Sequence, residues 1–265
     1  EVTDNGSPEC EYIYNFSIEF YPKYTSEHSL FIWLSYHEWF IEDREKLIGS
    51  LLPLAETFGL TISTPTWEKV DDEDWQSSWK NHWQPDPVGS RLLILPAWLE
   101  APEIYSSRHI LKLDPGYAFG TGSHPTTRLC LEALENAPSL GGTVLDLGCG
   151  SGILSLAALA LGAEKVLAVD IDSVAVRSTI ENSQLNNLKG NQLQVAQGSI
   201  DVLEKLLEGN TADLLMCNIL ASVIEELAPN FVHLIRPNGR GILSGILAEQ
   251  EPRTTLMLQS LGWTV

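Results

Sequence analysis

Residues Asp146-Leu147-Gly148-Cys149-Gly150-Ser151-Gly152 constrain the fold more than any other stretch of the chain. They follow Thr143–Leu147, which reads as a strand, and precede Ile153–Leu161, which reads as a helix stopped by Gly162. A glycine-rich turn between strand and helix belongs to a βαβ unit. There the glycines let the backbone approach a ligand closely, and the new helix points unpaired N–H groups at the same spot. The pattern continues downstream. Lys165–Asp170, Leu193–Ala196 and Ala212–Cys217 read as strands. Ser173 to about Asn187, with Ser173 as N-cap, Ile200–Leu207 and Ser222–Ile235 read as helices. Pro237-Asn238-Gly239 turns the chain into a further strand, Gly241–Ser244. This alternation predicts a doubly wound α/β fold on a parallel sheet.

The first part of the chain is organised differently. Tyr12–Phe20 alternates like a strand, Glu42–Phe58 reads as a helix ended by Gly59, and Leu60–Ser63 reads as a short strand. These elements predict a smaller α+β domain over residues 1–70. An acidic run, Asp71-Asp72-Glu73-Asp74, then suits a helix N-terminus. Trp75, Trp79 and Trp83 follow on one helical stripe, which reads as a docking face before it reads as an aromatic box for a ligand. Leu92–Leu95, closed by Pro96, reads as a buried strand. Residues 71–105 are therefore expected to link the first domain to a catalytic domain over 106–265.

The net charge is -19 with no cluster of Lys and Arg, so a basic partner is expected and direct nucleic-acid binding is not. Cys10, Cys130, Cys149 and Cys217 are scattered, without CxxC pairs or zinc-ligand spacing, and read as reduced thiols of a cytoplasmic protein. No metal is expected. The longest apolar run, Leu154–Leu161, is too short to cross a bilayer, and the polar, acidic start is no signal peptide. The first residue is Glu1, not Met, so residues upstream are expected to be missing. The chain stops at Trp263-Thr264-Val265, so a sheet with one edge incomplete is expected too.

The loop spacing speaks to the ligand. A nicotinamide dinucleotide fingerprint reads GxGxxG. Here the order is DxGxGxG, which resembles motif I of class I methyltransferases. An acidic residue at Asp146 suits a ligand carrying an ammonium group, such as S-adenosylmethionine. Asp170, at the end of the next strand, suits a ribose diol in either kind of enzyme and does not discriminate. Asn218 ends the strand that leads into Cys217-Asn218-Ile219-Leu220. It resembles the position where amino-methylating enzymes carry Asn-Pro-Pro-Tyr. An amide oxygen there accepts a hydrogen bond from an attacking amine and aims its lone pair. The phrase Leu113–Thr127 (LDPGYAFGTGSHPTT) reads as a flexible lid joined to a helix capped by Thr126 or Thr127. His124 within it reads as a hydrogen-bonding loop residue.

Together, LDPGYAFGTGSHPTT, VLDLGCGSGILSLAALALGA, VDID, CNIL, DWQSSWKNHW and RLLILPAWL resemble the ribosomal protein L-eleven methyltransferase family from about residue 71 onward. The resemblance implies a Rossmann-like catalytic domain, a ferredoxin-like N-terminal domain that recognises the ribosomal protein, and a lid that closes over the cofactor. Residues 1–70 match that N-terminal domain loosely and lack part of its opening βαβ half. By matched position Thr127, Gly148, Asp170 and Asn218 contact S-adenosylmethionine, joined by Gly150 in the loop and Phe119 in the lid, with Asn218 as the catalytic residue. The implied reaction is methyl transfer to lysine ε-amino and N-terminal α-amino groups of a basic ribosomal protein by a monomeric enzyme. Such an amine must first lose a proton, and a dry pocket lowers its pKa. No His or Glu stands out as the base. Three alternatives remain at this point: a methyltransferase for another protein lysine or a small molecule, a nicotinamide-dependent dehydrogenase, and a cofactor-binding module without catalysis.

Overall fold

The computed structural model describes residues 11–19, 28–35, 41–57, 61–62, 66–68, 83–114, 122, 124–138, 140, 142–188 and 190–265. The acidic run at 71–74, Trp75, Trp79 and Phe119 lie outside the described residues. The chain divides into two compact units, Glu1–Trp83 and Gln84–Val265.

The first unit is α+β. Strand β1 (Glu11–Glu19) is rich in aromatic and β-branched residues, which favour extended chain. It pairs antiparallel with β2 (His28–Ser35). Helix α1 (Ile41–Thr57) follows, and two short strands, β3 (Thr61–Ile62) and β4 (Thr66–Glu68), pair antiparallel with β1.

The second unit opens with β5 (Asp86–Val88), β6 (Leu92–Pro96) and β7 (His109–Leu113), a three-stranded sheet with β6 in the middle. Val88, Leu92, Ile94, Leu111 and Leu113 are buried in the same core as the helices that follow. Residues 84–105, expected as part of a linker, are thus built into this unit, because their apolar side chains are needed inside it. Arg108 fastens the β5–β6 turn by donating to the carbonyls of Val88, Gly89 and Leu92 at 2.8–3.2 Å.

Next come α2 (Pro125–Asn136), β8 (Thr143–Leu147), α3 (Ile153–Ala160), β9 (Lys165–Asp170), α4 (Ser173–Leu185), β10 (Leu193–Gln197), α5 (Ile200–Leu207), β11 (Ala212–Asn218), α6 (Ala221–Leu234), β12 (Ile235–Ser244) and α7 (Glu251–Ser260). The sheet is parallel, in the order β10-β9-β8-β11-β12. Its two faces are written in the period of the strands. Val144, Val166, Ala168, Leu214 and Met216 pack under α2 and α3. Their neighbours Leu145, Leu167, Val169, Leu215 and Cys217 pack under α5, α6 and α7. A Leu-to-Ala change at the fully buried Leu145, Leu167 or Leu215 removes about 2–5 kcal/mol.

Chain direction across the sheet reverses between β8 and β11. From β8 it runs outward through β9 to β10, then returns to β11 and β12 on the other side. Ligands of open α/β sheets bind at such a switch point, beyond the carboxyl ends of the strands. Those ends carry Gly148 after β8 and Asn218 on β11.

Local details differ from expectation at three places. Asp172, not Ser173, caps α4, its Oδ1 accepting from the N–H of Val174 at 2.8 Å. His124, not Thr126 or Thr127, caps α2, accepting from the Thr126 N–H, because Pro125 takes the first helical position and shifts the start upstream. Strand β12 begins at Ile235 rather than after the Pro237–Gly239 turn. Its pairing with β11 is interrupted and resumes at Arg240, and Asn238 sits at φ 63° between.

Candidate active site

At the end of β8 the chain enters a loop in which Gly148, Gly150 and Gly152 all have positive φ (80°, 55° and 81°). An L side chain is strained in that conformation, and a Cβ on Gly148 would also come within 2.5 Å of the Ile219 side chain. The N–H groups of Gly148 and Cys149 both donate to the Val169 carbonyl, at 2.8 and 3.1 Å, which ties the loop to β9. The Gly150 N–H donates to Asp170 Oδ2 at 2.9 Å, and the Asp172 N–H to Asp170 Oδ1 at 3.0 Å. Each Asp170 oxygen keeps a second lone pair for an outside donor.

Asp146 lies beneath this loop and is 1% exposed. Its Oδ2 accepts from the Ser155 hydroxyl at 2.6 Å, whereas Oδ1 is buried with no protein partner. Burial is the main reason its carboxyl is pushed up to about 6. The hydrogen bonds from Ser155 oppose that rise, and the charge of Asp170 adds to it. Asp146, read from the sequence as suiting a ligand's ammonium group, is thus a buried residue. Its place under the first turn of α3 follows from the strand period, which points Asp146 to the α3 face together with Val144.

Three thiols surround the same region. Cys130, Cys149 and Cys217 are free and buried. Desolvation raises all three, Cys130 to about 11 and the other two beyond the range in which a thiolate forms. They serve as small core residues, not nucleophiles.

Across the switch point, Asn218 Nδ2 donates to Thr127 Oγ1 at 3.3 Å. Thr127 is 1% exposed, at the start of α2. With the amide nitrogen engaged, Asn218 Oδ1 is the end available to a substrate amine. Ser244, at the end of β12, donates to the Thr126 carbonyl at 3.3 Å, so α2 is held by both β11 and β12. Gly122, two residues before the His124 cap, is buried at φ 93°. A Cβ there would lie 2.3 Å from Ile94 Cδ1. This part of the expected lid is packed in place, because it fills the space between Ile94 and Ile153.

The structure thus brings Gly148, Gly150, Asp170, Asn218 and Thr127 to one end of one sheet. Phe119 is outside the described residues. Sequence reasoning missed Ser155, Ser244 and an inward polar stripe on α4, Thr179, Asn182 and Asn186. Thr179 Oγ1 donates to the Gly150 carbonyl and Asn182 Nδ2 to the Ser151 carbonyl, both at 2.9 Å. The signal was present in their spacing of three and four residues, which puts them on one helical face.

The sequence profile of the family described as Ribosomal protein L11 methyltransferase (PrmA) matches residues 35–265. The chain belongs to the ribosomal protein L11 methyltransferase family. A family relative from Prochlorococcus marinus (strain MIT 9313) is 58% identical over 91% of this chain and 80% of its own length. One from Parasynechococcus marenigrum (strain WH8102) is 54% identical over 100% of this chain and 90% of its own. Both are named ribosomal protein L11 methyltransferase. Among solved structures, the ribosomal protein L11 methylase from Lactobacillus delbrueckii subsp. bulgaricus is similar with a TM-score of 0.62 and 33% identity, covering 69% of this chain and 91% of that one. Membership in the L11 methyltransferase family makes this chain a methyltransferase and sets aside the dehydrogenase and the non-catalytic module. Among the described residues no helix is long and apolar enough to cross a membrane, and no His, Cys, Asp and Glu cluster could hold a metal ion.

Proposed function

We propose that this protein transfers methyl groups from S-adenosyl-L-methionine to amino groups of ribosomal protein L11, on lysine ε-amino groups and the N-terminal α-amino group. The substrate is the one that relatives at 58% and 54% identity carry in their names. The observation that carries the chemistry is the Asn218 amide, anchored through its nitrogen to buried Thr127 at the mouth of the switch point.

The residues fit the donor. Asp170 has acceptor capacity left for the ribose hydroxyls. Gly148 and Gly150 bring the backbone close, and the buried, unpartnered Oδ1 of Asp146 can take one more donor from the site. Thr127 and Phe119 complete the proposed cofactor contacts. S-adenosylmethionine, when bound, supplies a methyl group activated by a sulfonium. Asn218 Oδ1 accepts an N–H of the neutral amine and thereby directs its lone pair. Such alignment provides much of the acceleration in a transfer of this kind. A lysine that enters the site and sheds water there is shifted toward the neutral amine. His124 Nδ1 accepts from the Thr126 N–H and so caps α2.

Residues 1–70 recognise the ribosomal protein, and the unit from Gln84 to Val265 carries catalysis. The net charge of -19 favours a basic protein substrate over nucleic acid, and the enzyme acts in the cytoplasm as a monomer. The test is incubation with purified L11 and labelled S-adenosylmethionine, followed by mass spectrometry of L11. Label on L11 amines, lowered on the order of a hundredfold in Asn218→Ala, is expected. Unlabelled L11 beside another labelled protein or a small molecule would replace the proposed substrate.

A further inference from the structure

Asn182 is a polar side chain in the interior, 1% exposed, on the inward face of α4. An amide there needs partners, since an unmade hydrogen bond in the core is costly. It finds them on two separate segments. Its Nδ2 donates to the carbonyl of Ser151 in the glycine loop at 2.9 Å, and its Oδ1 accepts from the N–H of Asp114 at 2.9 Å. Asp114 directly follows β7 and begins the phrase that runs on to Thr127. One rigid carboxamide therefore spans the loop that would hold the cofactor and the backbone at the end of β7.

The neighbouring contacts separate this bridge from ordinary packing. Thr179 grips only the glycine loop, through the Gly150 carbonyl. Asn186 reaches β7 and its own helix, where its Nδ2 also donates to the Asn182 carbonyl at 2.7 Å. Its Oδ1 accepts from the Lys112 N–H at 2.9 Å, and its Nδ2 donates to the Lys112 carbonyl at 2.7 Å, as a neighbouring strand would. Among these three residues of the stripe, Asn182, between the others, touches both segments. We propose that Asn182 is a positioning residue that couples occupancy of the glycine loop to the backbone at Asp114. Fixing the Ser151 peptide fixes the amide plane of Asn182, and this makes its bond to Asp114 more durable. Conversely, a held Asp114 keeps the Ser151 carbonyl turned away from the ligand side of the loop. By reciprocity of coupled sites, whatever orders one segment favours the ordered form of the other.

The inference rests on the cofactor reading above, and the experiment separates the two. Calorimetry with S-adenosylhomocysteine on the wild-type chain comes first; absence of binding there overturns the cofactor reading itself. Given binding, residue-resolved amide exchange is measured with and without S-adenosylhomocysteine. The Asp114 amide is expected to exchange more slowly when the ligand is present. In Asn182→Ala the ligand is expected to bind about tenfold more weakly, and the Asp114 response is expected to vanish. In Asn186→Ala affinity stays within about twofold and the response persists. An Asp114 amide indifferent to ligand in the wild-type chain overturns the coupling even if Asn182→Ala fails to fold. Equal loss of affinity in the two variants overturns it as well, because that would be general loosening of α4.

Discussion

Replacing Asp146 by asparagine removes a charge from a dry site while leaving the shape of the side chain almost unchanged. The folded protein holds this carboxyl at about 6, against an ordinary value of 3.8, and burial is the main cause. The folded state therefore binds more protons than the unfolded state between these values, and stability falls as pH rises through that window. Above it the cost is constant, about 3 kcal/mol at 1.36 kcal/mol per unit. Below the lower value both states hold the proton and the cost vanishes. Asparagine resembles the protonated acid, and its carbonyl oxygen can still accept from Ser155. Asp146→Asn is therefore expected to be about 3 kcal/mol more stable than wild type at pH 8, and about half that at pH 5. Urea unfolding followed by tryptophan fluorescence at the two pH values measures both gaps. A variant less stable at pH 8, or a gap that ignores pH, would refute the reasoning. In the first case the Ser155 hydrogen bond outweighs the buried charge; in the second the carboxyl is not perturbed by folding. A buried charge kept at such a cost beside a ligand loop is the pattern in which stability is traded for function.

Three further outcomes follow from the site. Asp170→Ala is expected to weaken S-adenosylmethionine by about 1.5–3 kcal/mol, tenfold or more, with no saturable binding of NADH; calorimetry that finds unchanged affinity would remove Asp170 from the site. Thr127→Val takes away the acceptor that fixes the Asn218 amide, so turnover should fall about tenfold while Thr127→Ser retains it; equal rates in the two variants would show that the 3.3 Å contact does not orient the amide. Gly122→Ala combines a φ of 93° with a Cβ 2.3 Å from Ile94, and should lower stability by about 1–3 kcal/mol; adding Ile94→Val, which removes the clashing carbon, should recover part of that loss, and no recovery in a urea titration would place the whole effect in the backbone.

Most of the catalytic fold was legible because its two controlling signals are local. Strands β8, β9 and β11 are short, apolar runs buried on both faces, and such runs read clearly when separated by helical periodicity and by glycine. The loop after Leu147 was legible for the same reason, since alternate glycines at a strand–helix junction have few other uses. Long-range demands were not legible. Residues 84–105 read as part of a linker holding one buried strand, Leu92–Leu95, whose partners the sequence left open; Val88, Leu92 and Ile94 are buried with side chains from α2 and α3. Gly122 falls in a phrase that reads as a flexible lid because glycine is permissive, yet here its missing side chain makes room for Ile94. Composition is the same in both cases; only the neighbour distinguishes freedom from close packing.

Helix α4 shows the limit of pattern reading most clearly. A helix is recognised by an apolar stripe that faces a core, and the inward stripe of α4 is instead Thr179, Asn182 and Asn186. Apart from Cys149 Sγ, which also accepts from Thr179, its partners beyond the helix are backbone carbonyls and N–H groups of Gly150, Ser151, Lys112 and Asp114, groups with no side-chain signature. A polar face turned inward is stable only where each of its atoms meets a complementary backbone atom. Those backbone atoms are exposed to α4 because the glycine loop leaves the regular ladder of the sheet and because, among the described residues, β7 is the edge of its sheet. The polar stripe is therefore a consequence of the same irregularity that opens a ligand site at the end of β8: backbone withdrawn from sheet hydrogen bonding must be satisfied from somewhere, and on this side of the loop α4 does it.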